Sequence, residues 1–194
     1  SRDGQGNVNT FVLPYTEWVL KQWGEYDPVN DGDYAGNCLP FGMSRSINSP
    51  HRVQVLQHPD ALAFLFEQNT WFHWVPTNGK KWPADLPPSW NGASVGRWEG
   101  DTLVIETVNF NGESWLTDDG ASHTNGLRVT ERLSRNGDMM EWQAIADDPA
   151  VLAEPWKLRP RRMKLTTQEL AEPVPCVEQD LKHLVDETHH DNPR

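Results

Sequence analysis

The chain predicts an all-β protein: an antiparallel barrel of lipocalin or calycin type, closed or nearly closed, carrying a short N-terminal helix. Three observations lead there. From residue 51 onward, short segments rich in β-branched and aromatic residues follow one another. Turn signals of two or three residues separate most of them. No helical segment lies between them, which argues against parallel βαβ units. A barrel is preferred because closure leaves no unpaired edge, and a β-sandwich is the alternative.

Before the strands, residues 1–10 are polar. PYTEWVLKQW (14–23) sets Tyr15, Trp18, Val19 and Gln22 at helical spacing behind a proline suited to a first turn, so a short helix with one buried face is expected. GEYDPVNDGDYAGN (24–37) is acidic and turn-rich, and CLPFGMSRSINSP (38–50) reads as extended coil. Residues 1–50 therefore form a helix and an extended segment packing on the barrel. Strands are expected over 52–57, 61–67 and 70–75, with HPD and QN as the turns between them. GKKWPADLPPSWNGAS (79–94) is a long loop. SVGRW (94–98), the turn EGD and TLVIETVNF (102–110) follow. Another strand spans 127–133, then the turn RNGD, then MMEWQAIAD (139–147). WKLRPRRMKL (156–165) reads as an edge strand interrupted by Pro160. The barrel thus covers 51–176, and 177–194 is a C-terminal helix or tail, with VEQDLKHLVDE (177–187) as its helical part.

Composition excludes several functions. The chain has 194 residues, enough for one domain with a real core. Seventeen Lys and Arg against 28 Asp and Glu give a net charge of −11, the wrong sign for a nucleic-acid footprint. No apolar run approaches the ~18 residues of a spanning helix, so no membrane insertion is expected. Neutral or cationic small molecules suit this charge best. Ten tryptophans stand out; they serve either a Trp-rich core or the gripping of flat rings. The two cysteines, Cys38 and Cys176, are far apart and outside any metal spacing, and could be one disulfide or two unrelated thiols.

GLRVTERLS (126–134) carries the most pointed chemical signal. Read as a strand, one face is Leu127, Val129, Glu131 and Leu133, an aliphatic row interrupted by an acid. A buried carboxylate must be neutralised, paired or used. Applied to the other strands, the same reading turns Glu67, Glu106 and Arg97 inward, Arg97 pairing a carboxylate in a polar-lined cavity. A structural Arg–Glu pair with rim carboxylates is the plainer alternative. His123, in the loop entering the Glu131 strand, suits general acid–base chemistry, or else caps a turn. Trp115 and Trp71 are candidate walls. His51, His58 and His73 fall on neighbouring strands, but no HxH, HExxH or HxxxH spacing occurs, so no metal is expected. No nucleophile elbow or phosphate-cradling loop is present, and no cofactor is expected.

CLPFGMSR (38–45), DLPPSWNGASVGRWEGDTLVIET (85–107), NFNGESWLTDDGASHTNGLRVTERL (109–133) and Cys176-Val177-Glu178 together carry a resemblance. The chain resembles, from Pro14 to Glu178, a large family of mostly uncharacterised bacterial proteins that usually carry signal peptides. The resemblance implies a periplasmic or secreted location and a disulfide between Cys38 and Cys176. It also implies family positions at Glu67, Arg97-Trp98, Asp101, Glu106, Trp115, His123, Thr130-Glu131-Arg132 and Glu178. His51, His58 and His73 depart from the family pattern. The family has no established reaction.

The functional expectation is a cofactor-independent acid–base enzyme (lyase, isomerase or hydrolase) acting on an uncharged cyclic or aromatic molecule in the barrel cavity. Glu131, His123 and Glu67 would do the chemistry, and Arg97, Glu106, Trp115 and Trp71 would hold the substrate. The alternative is a non-catalytic periplasmic small-molecule or carbohydrate-binding protein; a structural or carbohydrate-surface protein would instead have Trp71, Trp74, Trp82 and Trp90 on exposed loops. Homo-oligomerisation is left open.

Overall fold

Alternating burial along the strands builds two antiparallel sheets that face each other. The computed structural model describes residues 13–23, 34–68, 71–83, 85–117 and 120–172. The smaller sheet has three strands in chain order: β1 (Val53–His58), β2 (Ala61–Phe66) and β3 (Phe72–Pro76). The larger runs β4 (Ala93–Glu99), β5 (Thr102–Val108), β6 (Arg128–Asn136), β7 (Met139–Asp147) and β8 (Trp156–Lys157). A last strand, β9 (Arg161–Lys164), also pairs with β7. The expected edge strand is thus present as two pieces separated by Pro160, which can donate no ladder hydrogen bond. Among the described residues no hydrogen-bonded ladder joins the two sheets.

The inner faces form one core. Phe64 and Phe66 of the small sheet meet Trp142 of the large one, with ring centroids 5.4 and 6.2 Å apart. Val129 and Leu133 alternate inward along β6, while Arg128 and Arg132 face water. Each such aliphatic or aromatic side chain contributes about 1.5–3 kcal/mol on burial. The sheets approach most closely where β3 crosses β4. A Cβ added at Gly96 would lie 2.8 Å from Val75 Cγ1 and 3.0 Å from Thr77 Cγ2. Only a residue without a side chain admits that contact.

Two expectations about the N-terminal region need correction. The first helix, α1 (Glu17–Trp23), forms, but it docks through Val19 and the preceding Tyr15 while Trp18 is exposed. Backbone bonds hold this entry in place: Thr16 N–H donates to Val151 O, and Ala153 N–H to Pro14 O. Residues 43–48, expected as coil, form a second helix, α2 (Met43–Asn48). Gly42 precedes it at φ 77°, and a Cβ there would collide with Ser114 Oγ. Tertiary packing makes this short helix: Met43, Ser44, Arg45, Ser46 and Ile47 are all buried.

Candidate functional site

Glu131 lies where the alternation of β6 puts it, fully buried in the row Gly96–Ile105–Glu131–Ala144 across four strands. Trp142 Nε1 donates to Oε2 at 2.8 Å, whereas Oε1 has no hydrogen-bond partner. Burial pushes the carboxyl up to about 8, only partly offset by the Trp142 bond, so the group is a neutral acid at pH 7. From the opposite sheet His73 is also buried. Its Nε2 bonds Ser94 Oγ, which in turn meets Thr107 Oγ1 at 2.8 Å, while Nδ1 has no partner. An orphaned acceptor costs less than an orphaned N–H, so the proton belongs on Nε2. Burial pushes this imidazole down to about 3. Glu131 and His73 are thus two buried neutral groups on facing sheets, each with one unsatisfied atom.

His123 stands apart from this centre. Its Nδ1–H donates to Thr124 O at 2.8 Å, which leaves Nε2 to accept from the Ser114 hydroxyl at 2.7 Å. Asp148 braces the loop by accepting from Thr124 N–H at 2.6 Å and from its hydroxyl. The hydroxyl–imidazole–carbonyl chain has the connectivity of an activated nucleophile. Ser114 is nevertheless buried and pressed against Gly42, with no room for an electrophilic carbon. Burial lowers the His123 pKa. No hydrogen bond or ion pair among the described residues joins His123 to Glu131.

Arg97 and Glu106 do not face inward, which corrects the expected cavity. They lie on the outer face of the large sheet, Arg97 Nη1 donating to Glu106 at 2.8 Å. Glu99 bridges Arg97 and Arg132 at 3.1 and 2.9 Å. The inner positions of β4 are instead Ser94 and Gly96, small residues that make room for β3. On β5 the run Leu103-Val104-Ile105 is buried on both faces, so its alternation is ambiguous. Glu67 sits at the end of β2, where Arg52 Nε donates at 2.8 Å and Ala171 N–H at 2.9 Å, Arg52 Nη2 adding a third bond. The Arg52 bonds hold its carboxyl at about 2, so it serves as a charged tie for residue 171.

The expected aromatic walls engage different neighbours. Trp71 is partly buried against the core. Trp115 packs edge-on to Tyr34 at 4.9 Å and, with Tyr34 and Phe41, surrounds the Arg45 guanidinium. Trp90 packs on Tyr34, whereas Trp74 lies on the outer face of β3 beside exposed Phe72. Cys38 follows the 3₁₀ turn Tyr34–Asn37; Cys176 and the helix expected at 177–187 lie outside the described residues. His51 is at a rim 3.9 Å from Glu67, and His58 bonds the turn after β1. Among the described residues, no three His, Cys, Asp or Glu side chains converge as metal ligands.

A groove of about 1250 Å³ opens on the side where the sheets do not meet, between β1 and the segment from β9 to Leu170. Leu62, Phe64, Leu103, Leu133, Met140 and Met163 give it apolar surface, and polar side chains such as Gln54, Ser134 and Gln168 make up much of the rest. Trp98 stands at its mouth, placed there by the alternation that sends Arg97 outward. Leu133 is two residues from Glu131 on the same face of β6, so the acid lies one row behind the groove lining. Sequence reasoning missed this groove, because it is lined from strands distant in the chain. No family model, curated protein or solved structure matches the chain.

Proposed function

We propose that the protein binds a small, largely apolar, cyclic or aromatic molecule in the groove between β1 and β9. The groove carries this reading: a concavity in which apolar side chains from both sheets meet interspersed polar and charged ones can seat a small molecule and orient it. In this view the sheets are halves of a lipocalin-like barrel left open along one side, with a sandwich as the alternative. A periplasmic or secreted location and a Cys38–Cys176 disulfide belong to the same proposal, and mass spectrometry under non-reducing conditions tests the latter.

Calorimetric titration with 2-naphthamide tests the groove. For a ligand of this size a Kd of order 0.1–1 mM is expected. Val55 is a partly exposed groove residue on edge strand β1, so Val55→Trp should fold and weaken binding at least about tenfold by filling the space. Absence of binding to the wild type, or unchanged affinity in the variant, would overturn the reading.

A second reading is catalytic, favoured by the orphaned Oε1 of Glu131 and a pKa near the working pH of a general acid or base. Glu131→Gln would then abolish turnover of the true substrate while the protein stays folded. Turnover per folded molecule that survives the change would place Glu131 in the scaffold.

A further inference from the structure

We infer that the ligand of the groove carries a carboxylate and that Arg161 receives it. This rests on the groove reading above and adds a charge to the ligand. Arg161, the first residue of β9, lines the groove. Its guanidinium donates Nη1–H to Ile47 O at 3.1 Å and Nη2–H to His51 O. Both acceptors are uncharged carbonyls, one of them in α2. They fix the plane of the guanidinium without neutralising it.

Two other arginines on the groove are paired, Arg52 with Glu67 and Arg162 with Glu141 at 3.1 Å. Arg135 and Lys164 also line it without an ion pair among the described residues, but both are exposed to water, whereas Arg161 is half-buried. Among the described residues, no carboxylate lies within ion-pair distance of Arg161, although Asp101, Asp138 and Glu169 also line the groove. Burial lowers the Arg161 pKa, with no acid to offset it. A chain with 28 acidic and 17 basic residues has ample carboxylates, yet among the described residues none pairs with this half-buried cation. A guanidinium has five N–H donors, and the carbonyls take two of them. The rest suit a carboxylate, whose two oxygens match the guanidinium fork. The apolar lining then takes the rest of the molecule. The ligand class is a cyclic or aromatic carboxylic acid, small enough for the groove.

Calorimetry with 2-naphthoate and its neutral isostere 2-naphthamide separates this inference from the groove reading. The wild type is expected to bind the carboxylate at least about tenfold more tightly, a margin of about 1.4 kcal/mol. In Arg161→Met the ratio of the two affinities should fall below about twofold. The variant removes two bonds that anchor α2, so a second measurement uses the wild type alone. Raising salt from about 0.05 to about 0.5 M should weaken 2-naphthoate binding and spare 2-naphthamide. Equal binding of the two probes, a preference that survives in Arg161→Met, or equal salt dependence would overturn the carboxylate assignment and leave the groove reading standing. Failure of both probes to bind would overturn both.

Discussion

Glu131 is a buried acid whose protonation is coupled to folding. Its carboxyl lies near 8 in the folded chain against an ordinary 4.5, so between those values the folded state holds a proton that the unfolded state has released. Stability from this group is full below about 4.5, falls as pH rises, and levels above about 8. Glu131→Gln keeps the shape and removes the charge. Urea unfolding should therefore show near-equal stability at about pH 4.5 and a gain for the variant of roughly 2–5 kcal/mol at about pH 8. A variant less stable at every pH would contradict this. The inward acid was legible in the sequence because Leu127, Val129 and Leu133 mark the face unambiguously. Arg161 was not legible: Pro160 breaks the alternation, and its lack of an acid partner is a tertiary fact.

At the scale of elements, the strands were legible and their facing only in part. Hairpin turns located β5, β6 and β7 to within about three residues at each end, an ordinary error for element boundaries. The inner face of β4 was misassigned because it carries Ser94 and Gly96, residues that do not look like a core. Their smallness is what lets β3 lie on β4. Gly96→Ala should force Val75 and Thr77 aside and destabilise the fold by about 1–3 kcal/mol, read as a lower unfolding midpoint. No loss would mean that the sheets are not held in contact at this point. The helix α2 was invisible in sequence, since six residues without a long periodic stripe carry little helical signal and packing supplies the rest.

For the whole molecule, the titrating groups that burial and pairing shift combine into a predictable pH profile. His73 is held neutral near 3 against an ordinary 6.5, so its stability is full above about 6.5 and is lost as pH falls toward 3. Between about 4.5 and 6.5 the His73 and Glu131 slopes oppose each other, so these two groups leave a plateau there. Above it stability falls with Glu131; below it, with His73 and then Glu67, whose carboxyl is held near 2. Denaturant midpoints measured across the range check this, and a rise in stability from about pH 6.5 to 8 would contradict it.

The chain-wide charge of −11 favours neutral or cationic ligands, yet the groove carries its own local field through Arg161. A ligand on the open side between β1 and β9 would touch methyl groups of both sheets, which methyl-resolved NMR of the full chain reads during titration with 2-naphthamide. Shifts concentrated on Leu62, Leu103, Leu133, Met140 and Met163 are expected. Shifts confined to methyls beside the exposed Phe72 and Trp74, or none at saturation, would contradict it.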